Sequence, residues 1–541
     1  MSTPPPTASF PSSDSTSTTM PGISLGLQRI TRLLTLLRSP HLSTPVIHIA
    51  GTNGKGSVSA YLSSILSSTE PPLRVGRFNS PHLVDEWDCI RLHRPAVASP
   101  SSGASSKDAD LSPVSEHLFR STKHEIEQLS LRQNVGATSF EVLTATAYTL
   151  FARADPPLDV AVVEVGMGGA EDATNVVPAE KTLLSVVTAV ELDHQKFLGD
   201  TVGEIAAVKG GITREGGDVV LAQQAHPEAG EAVKRIAAER GARVWEAGVG
   251  RPLPSTTTSA ATTSSDLPSP PLVSLPVTAI STTPPLPSSH PLLPSPQPPT
   301  LETPLPLPGA YQLSNAAVAV LSASLLRTLP RTLALMPALA PERLTDGAIR
   351  RGVERTKWEG RLSWTTLPAP LPSFSSPSPP TPSPRRRRLL LDGAHNPSSA
   401  ALLASYLSSL PPPLKPSTLI FALSSPRAPS SVLPALLGAD TGVTRVVCTG
   451  FGKVEGMEWV RAVEVEELAE GVREVVASLG RAGEVEVSRA EDAEAALRLL
   501  DEADATAEGR PALVAGSLYL VADVLRVQRR VEGDGGGAGD A

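Results

Sequence analysis

Apolar residues along the chain fall into short runs that alternate with longer stretches of helical character. Three early runs rich in Val, Ile, Leu and Ala predict buried strands, at residues 46–50, 160–165 and 183–188. Three stretches that follow loops predict helices, at residues 57–67, 139–152 and 202–209. Strands separated by helices are typical of a parallel sheet covered by helices, so the predicted fold class is α/β.

The same alternation resumes in the last third of the chain. Apolar runs at 389–392, 418–422 and 443–448 predict strands, a helix is expected at 398–410, and the series continues through 490–500 and 512–515. We therefore expect a second, smaller, Rossmann-like α/β domain. The predicted division is a leader at 1–22, a first domain at 23–360, and a second domain with a flexible tail at 361–541.

Three tracts and the leader interrupt this pattern. Many of the 54 prolines lie with Ser and Thr in tracts near 95–113, 253–308 and 368–384 that have no apolar periodicity. Such a composition cannot build a core, so we expect a disordered leader and extended or disordered surface insertions that take no part in the chemistry. The basic run from Arg385 to Arg388 closes the third tract and is interpreted as the solvated end of a linker.

Net charge and cysteine content argue against several classes of protein. A net charge of −8 and a pI near 5.8 speak against nucleic acid or an anionic membrane as partner. Two cysteines are too few for a disulfide framework or a thiolate zinc site, which fits a reducing compartment. No apolar run is long enough to span a bilayer, and the leader has no targeting signal. We expect a cytoplasmic monomer, with the mitochondrion as a second location.

A glycine-rich segment directly follows the first predicted strand and precedes a predicted helix. Its residues are Gly51, Thr52, Asn53, Gly54, Lys55, Gly56 and Ser57. Glycines let the backbone turn tightly and point N–H groups inward, and the start of the helix adds positive potential, so the segment is suited to phosphate. Common GTPases and motor ATPases carry Ser or Thr after the lysine, where Gly56 stands here. A strand-to-helix turn with an incidental lysine stays open as the alternative.

The loop and a series of further motifs resemble the folylpolyglutamate synthase/dihydrofolate synthase branch of the Mur ligases, most of all the fungal dihydrofolate synthases. The motifs are SPHL at 80–83, TSFE at 138–141, EVGMGG at 164–169, DATN at 172–175, DH at 193–194, Lys209, QLSN at 312–315, GRL at 360–362 and DGAHNP at 392–397. The resemblance implies a P-loop-containing parallel-sheet ATPase domain of the Mur ligase central type, followed by the smaller α/β domain.

The resemblance also implies roles for single residues. It assigns the triphosphate of ATP to the glycine-rich loop, and catalysis to Lys55, His194 and Lys209. Nucleotide contacts beyond the loop are implied for Asn315, Arg361, Asp392 and His395. Ligands of Mg²⁺, of which we expect two ions, are implied at Ser80, Glu164, His194 and a carbamylated Lys209. A monovalent cation is a further expectation. Taken singly, Glu164 has an alternative as a core carboxylate and His194 as an ordinary loop histidine.

The implied reaction is ATP-dependent ligation of glutamate to a pteroate-type carboxylate through an acyl phosphate. Residues expected to contact the pterin are Ile23, Ser24, Leu25, Gly26, Thr138, Ser139, Phe140, Glu141 and Asp172. They favour 7,8-dihydropteroate as the acid, with dihydrofolate, ADP and phosphate as products. Two alternatives stay open: a folylpolyglutamate synthase that adds glutamates to tetrahydrofolate, and a nucleotide-dependent switch that binds a partner without ligation.

Overall fold

The computed structural model describes residues 26–93, 111–254, 268–286, 293, 299–372, 386–454, 460–503 and 509–532. Its strands are β1 (Val46–Ala50), β2 (Val75–Phe78), β3 (Ile90–His93), β4 (Leu111–Pro113), β5 (Val160–Glu164), β6 (Thr182–Val187), β7 (Asp218–Leu221), β8 (Arg243–Glu246), β9 (Arg251–Pro252), β10 (Leu272–Pro276), β11 (Ser281–Thr283), β12 (Thr300–Pro304), β13 (Ser363–Pro368), β14 (Arg386–Leu391), β15 (Thr418–Phe421), β16 (Arg445–Cys448), β17 (Glu486–Arg489) and β18 (Ala512–Ala515).

The α-helices of the described residues surround these strands. They are α1 (Gln28–Leu36), α2 (Lys55–Ser67), α3 (Glu116–Arg132), α4 (Ser139–Ala152), α5 (Gln195–Leu198), α6 (Val202–Gly210), α7 (Pro227–Glu239), α8 (Gln312–Leu326), α9 (Pro330–Leu335), α10 (Asp346–Arg355), α11 (Pro397–Ser409), α12 (Leu433–Leu436), α13 (Val465–Ser478), α14 (Ala493–Ala503) and α15 (Leu518–Glu532). The predicted strand at 46–50 and the predicted helix at 139–152 have these same bounds. The other early predictions differ by one or two residues.

A nine-stranded sheet organises the first part of the chain, in the order β11-β8-β7-β6-β1-β5-β2-β3-β4. The strands from β8 to β2 are parallel, and the outer pairings β8–β11, β2–β3 and β3–β4 are antiparallel. Every residue of β1, β5 and β6 is buried, as expected for parallel strands with both faces covered. The predicted α/β class is therefore confirmed.

Helices cover both faces of this sheet. On one face α2, α8 and α10 pack against β1 and β6 through residues such as Ile49, Val58 and Val320. On the other face α1, α3 and α4 pack near β5, and α6 and α7 pack near β7. This arrangement leaves the carboxyl ends of β1, β5 and β6 free to carry loops, which is where α/β sheets bind their ligands.

A six-stranded sheet forms the second part, in the order β13-β14-β18-β15-β16-β17. It is parallel from β14 to β17, and β13 pairs antiparallel with β14. It matches the predicted second α/β unit, although the sequence pattern did not predict its edge strand β13. The domain limits at 22 and 360 stay predictions.

Parts of the low-complexity tracts are strands, which corrects the expectation of surface excursions throughout. The end of the first tract is β4 on the large sheet. In the second tract, β10 and β12 form a separate three-stranded sheet with β9, and β11 closes the edge of the large sheet. The second tract forms strands because it contains valines and leucines that can be buried, and Val273 and Leu275 are fully buried. The leader, Ile23 to Leu25 and most of the first and third tracts lie outside the described residues.

The interpretation of the basic run as a solvated linker end is wrong for its second half. Arg387 and Arg388 belong to β14 and are only 8% and 6% exposed. Arg387 donates to Asp501 at 2.8 Å, and Arg388 donates to the carbonyl of Gly509 at 3.2 Å. The aliphatic stems of these arginines pack like strand residues while their head groups find acceptors. In the described part of the chain, no helix has the length and apolarity that a membrane span requires.

Candidate active site

The glycine-rich loop joins the end of β1 to the start of α2. Gly51 has a φ of +144° and Gly54 a φ of +91°, values that favour glycine. Space excludes a side chain as well, since a Cβ on Gly54 would lie 2.3 Å from Oδ1 of Asn315. The N–H groups of Thr52 and Asn53 donate to the carbonyl of Ala189, which ties the loop to the end of β6. The first N–H groups of α2 have no acceptor within the helix, and the residues that carry them, Lys55 to Ser57, line a large cavity.

Two lysines converge on this loop. Lys55 Nζ donates to the carbonyls of Gly51 at 3.0 Å and Thr52 at 3.2 Å, and it lies 4.0 Å from Oε1 of Glu164. Lys209 Nζ, from the end of α6, donates to the same Gly51 carbonyl at 3.0 Å. Lys209 is only 3% exposed, and burial together with the charge of Lys55 lowers its pKa to about 7. Lys209 is therefore a buried residue beside the loop and not a solvated surface lysine.

Glu164 ends β5 and faces the loop from the next strand of the sheet. Its Oε2 accepts a hydrogen bond of 2.6 Å from Nδ2 of Asn79, and burial raises its pKa against the opposing effect of Lys55. Ser80 follows Asn79 and lines the same cavity. Hydroxyl and carboxylate oxygens are the donors that Mg²⁺ prefers, and such sites often use few protein ligands together with substrate phosphates. The donor set of Ser80 and Glu164 thus fits the predicted ion.

His194 lies at a sharp turn before α5, with a φ of +51°. Its Nε2 is 3.5 Å from Asp193 Oδ2, and its side chain is 48% exposed. Burial lowers the pKa of His194, and the nearby charges of Lys209 and Lys55 act in the same direction. Among the described residues, no three His, Cys, Asp or Glu side chains form a cluster able to hold a metal. His194 therefore lies near both lysines, but it does not form a metal-binding cluster with Glu164.

A cavity of about 1650 Å³ opens between the two sheets, and the predicted nucleotide residues of both sheets, except Gly51, line it. The loop from Thr52 to Ser57 lines one side, and Arg361, Asp392 and His395 line the other. Asp392 is buried and accepts hydrogen bonds of 2.8 Å from the N–H groups of Leu362 and Ala394. Burial raises its pKa, and the charge of Arg361 opposes that shift. The second sheet thus brings a fixed carboxylate and a guanidinium to the mouth of the loop.

Asn315 borders the loop from α8. Its Nδ2 donates to Gln312 Oε1 at 3.0 Å, and Gln312 Nε2 donates to Ser57 Oγ at 3.1 Å. Asn315 also lines the cavity between the sheets. A chain of hydrogen bonds therefore connects the predicted adenine contact to the last residue of the phosphate loop.

The predicted pterin residues lie apart from the lining of this cavity. Thr138 caps α4 in a capping box with Glu141, whose Oε2 also accepts a hydrogen bond of 3.0 Å from Arg29. Phe140 packs on Gly166 and stacks on Phe78 at 6.4 Å between ring centroids. Oδ1 of Asp172 accepts hydrogen bonds from the hydroxyl and N–H of Thr174 at 2.6 and 2.9 Å, and Oδ2 accepts one from Met167.

Several residues of the cavity were missed by sequence reasoning. Trp358 packs on Gly56, where an added Cβ would lie 2.4 Å from its ring. The guanidinium of Arg77 lies over that ring at 5.1 Å, and Asn79 holds Glu164 as described. Tyr311 also lines the cavity. An arginine inside an apolar strand, at position 77, is the one signal that the sequence offered for this group.

Comparison with known proteins finds folate ligases among the relatives of this chain. A family model described as "Dihydrofolate synthetase, C-terminal domain" matches residues 381–527. The dihydrofolate synthetase of Saccharomyces cerevisiae is 29% identical over 505 residues, which cover 93% of this chain and 98% of the relative. The probable dihydrofolate synthetase of Schizosaccharomyces pombe is 28% identical, with 93% and 98% covered.

Solved structures share the fold over nearly the whole chain. Escherichia coli FolC in complex with DHPP and ADP is 26% identical, with a TM-score of 0.62 and coverage of 94% of this chain and 95% of the other. Mycobacterium tuberculosis folylpolyglutamate synthase complexed with ADP is 26% identical, with a TM-score of 0.63 and coverage of 92% and 93%. Over nearly its whole length the chain is therefore similar to dihydrofolate synthetases and to solved folylpolyglutamate synthases, which are ATP-dependent ligases.

Proposed function

We propose that this protein joins L-glutamate to 7,8-dihydropteroate with cleavage of ATP, giving dihydrofolate, ADP and phosphate. One observation carries the proposal: the lysine of the phosphate loop lies 4.0 Å from a buried carboxylate, in a cavity that groups of the second sheet complete. The two fungal relatives that match 93% of the chain are named dihydrofolate synthetase or probable dihydrofolate synthetase, which favours the pteroate acid over a folate.

The loop holds the triphosphate in this proposal. The free N–H groups at the start of α2 donate hydrogen bonds to the phosphate oxygens, and Lys55 Nζ exchanges its carbonyl partners for the terminal phosphate. Asn315 contacts the adenine, while Arg361 and Asp392 reach the nucleotide from the second sheet. His395 assists from the same segment, where burial lowers its pKa and favours a neutral ring. Closure of the two parts around ATP would assemble the site.

Ser80, Glu164 and His194 are the proposed protein ligands of Mg²⁺. When bound, the ion neutralises charge on the transferred phosphoryl group. Lys209 is proposed to carry a carbamate that supports a second ion, because its lowered pKa of about 7 leaves a neutral amine able to react with carbon dioxide. A carbamate would turn an ammonium group beside Lys55 into an anion, and so would remove the repulsion between the two lysines. A monovalent cation completes the proposed set.

The chemistry follows from positioning and charge stabilisation. An oxygen of the pteroate carboxylate attacks the γ-phosphorus, the bond to ADP breaks, and an acyl phosphate forms. The amine of glutamate then attacks the acyl carbon, loses a proton, and expels phosphate with the oxygen that came from the carboxylate. Lys55 stays beside the phosphoryl group through both steps.

We also propose that Gly26, Thr138 to Glu141 and Asp172 border the pterin, together with Ile23 to Leu25. Phe140 offers a ring face beside Gly166, close to the strand end that carries Ser80. The hydrogen bonds that Asp172 accepts from Met167 and Thr174 hold the loop in shape, so Asp172 would act by positioning this loop beside the pterin.

A product assay tests the assignment. The enzyme is offered 7,8-dihydropteroate or tetrahydrofolate separately with ATP and labelled glutamate, and the products are separated by mass. Dihydropteroate should yield dihydrofolate in proportion to ADP. A folylpolyglutamate synthase would instead extend only tetrahydrofolate, an alternative favoured by the names of the structural relatives. ATP turnover that ignores both acids and glutamate would support a nucleotide-dependent switch. We further propose a monomer located in the cytosol.

A further inference from the structure

A buried arginine at the floor of the cavity has no role in the proposed mechanism. Arg77 lies in the middle of β2 and is only 6% exposed. Its Nε is buried and has no hydrogen-bond partner. Buried guanidinium groups are normally paired, because an unpaired charge away from water costs stability. This arginine therefore has donors to offer to a group that enters the cavity, which it lines.

A second arginine stands directly opposite on the neighbouring strand. Arg77 pairs in register with Arg91 of β3, and both line the cavity. Like charges at directly opposed positions of an antiparallel pair are destabilising. Among the described residues, neither arginine has a carboxylate within ion-pair distance. The pair thus forms a concentration of positive charge that has no ion-pair partner among the described residues.

The arginine pair is connected to the phosphate loop through Trp358. The ring of Trp358 packs on Gly56, and the guanidinium of Arg77 lies over that ring at 5.1 Å. Arg77 also feels the charge of Glu164. An anion held by the arginines would therefore lie on the side of the cavity where Trp358 contacts the phosphate loop.

We propose that Arg77, with Arg91, forms a binding subsite for a carboxylate of the acid substrates, an inference that rests on the proposed ligase function. The ATP phosphates already have the loop N–H groups and Lys55, whereas the incoming glutamate carries two carboxylates that keep their charge throughout the reaction. Dihydropteroate carries one carboxylate, which loses its charge when it is phosphorylated. Guanidinium groups match the planar geometry of a carboxylate and bind it through paired hydrogen bonds.

The ionisation of Arg77 agrees with this role. Burial and the charge of Arg91 lower its pKa to about 9, while Glu164 opposes the shift. Binding of an anion between the two arginines would offset their repulsion and the burial of charge. The aliphatic and aromatic neighbours in the lining, among them Leu111, Pro113 and Trp358, keep the subsite poor in competing water.

Steady-state kinetics of Arg77→Met tests the proposal, since methionine keeps the packing of the stem and removes the charge. KM is measured separately for glutamate, dihydropteroate and ATP, with ATP affinity in a binding assay as the check on folding. We expect a rise of roughly ten- to a hundredfold in KM for one carboxylate substrate, with ATP affinity unchanged and partial recovery in Arg77→Lys. Arg91→Gln should raise the same KM by a smaller factor.

Arg243→Met is the matched control. Arg243 also stacks on a tryptophan, Trp245 at 5.8 Å, but it lies on β8 outside the cavity lining, so its loss should leave every KM unchanged. A rise in KM for glutamate assigns the subsite to the amino acid, and a rise for dihydropteroate assigns it to the acyl donor. Unchanged values for both acids in an Arg77→Met protein that binds ATP would overturn the proposal, as would a change confined to ATP. Absence of ligation in the wild-type protein would instead overturn the proposed function.

Discussion

At the scale of single residues, the site holds two lysine side chains close together in a confined space. Lys55 and Lys209 donate to the same carbonyl of Gly51, and among the described residues Glu164, at 4.0 Å from Lys55, is the carboxylate that forms an ion pair with one of them. Burial makes the charged form of Lys209 costly, which is why its pKa falls to about 7. A modification that converts this amine into an anion would replace the repulsion between the two lysines with attraction.

We predict that Lys209 becomes labelled when the protein is exposed to ¹³C-bicarbonate. Because the amine must be neutral to react and its pKa is about 7, labelling should increase from about pH 6 to about pH 8. The measurement is the carbamate resonance in ¹³C NMR. Lys209→Met should lack this resonance, while Lys234→Met, on the surface of α7, should keep it. A wild-type protein without the resonance at about pH 8 would contradict the carbamate.

At the scale of elements, the strand–loop–helix unit around Gly54 depends on the absence of a side chain. Its φ of +91° and its contact with Asn315 each exclude a Cβ. We predict that Gly54→Ala lowers ATP affinity by at least about tenfold, because the loop must move away from Asn315 to admit the methyl group. Isothermal titration with ATP measures this.

Gly241 supplies the control for that substitution. Its φ of +59° also favours glycine, but a Cβ there would meet nothing within 4 Å. Gly241→Ala should therefore cost about 1 kcal/mol of stability from backbone strain and leave ATP binding unchanged. Equal ATP affinities for Gly54→Ala and the wild type would show that the loop does not hold the phosphates.

The start of α4 combines a helix cap with a proposed pterin contact. Thr138 accepts a hydrogen bond from Glu141, as Thr345 does from Ala348 at the start of α10. Thr138→Ala and Thr345→Ala should each lower the free energy of unfolding by about 1 kcal/mol. Only Thr138→Ala should also raise KM for dihydropteroate. If the two variants had the same KM as the wild type, the role of Thr138 would be that of a cap alone.

The elements that sequence reasoning placed well are those with strong local signals. Apolar β-branched runs predicted β1 and β6, and the Thr138–Glu141 spacing of a capping box marks the start of α4. The tracts rich in Pro and Ser hid β10 and β12, because their pairing partners lie far apart in the sequence. Arg77 and Trp358 were missed for a similar reason. The cavity is formed by segments that lie far apart in the sequence, so no short sequence pattern predicts which residues line it.

At the scale of the whole molecule, the cavity exists only because two sheets face each other. The first sheet contributes the loop and Glu164, and the second contributes Arg361 and Asp392. Ion pairs between Arg529 of α15 and Asp85 help to hold the two parts together, at 3.0 Å. Ligation should therefore depend on groups that do not touch the phosphate loop.

We predict that Asp392→Asn loses most of the stabilisation that ATP gives. In the wild type, ATP at about 100 times its Kd should add about 2.7 kcal/mol to the free energy of unfolding. The carboxylate accepts one hydrogen bond on each oxygen, from the N–H groups of Leu362 and Ala394, whereas the amide has a single oxygen and cannot accept both in this way. Thermal unfolding with and without ATP measures the difference.

Asp501→Asn is the control for that experiment. Asp501 also accepts a backbone N–H, that of Leu371, and lies on the second part of the molecule away from the cavity. Both variants should be less stable than the wild type without ATP. On adding ATP, however, Asp501→Asn should show the same increase in the free energy of unfolding as the wild type. If Asp392→Asn also showed the full increase in stability with ATP, the second sheet would have no part in nucleotide binding.

The central claim is that the loop presents the terminal phosphoryl group of ATP to a substrate carboxylate. Transfer of ¹⁸O tests it most directly, using 7,8-dihydropteroate labelled in both carboxylate oxygens, with ATP and glutamate. The mechanism predicts that each phosphate released carries one labelled oxygen and that the amide keeps the other, while Lys55→Ala releases no labelled phosphate. Phosphate without label in the presence of product would mean that water, and not the acid, receives the phosphoryl group, and would contradict the acyl-phosphate mechanism.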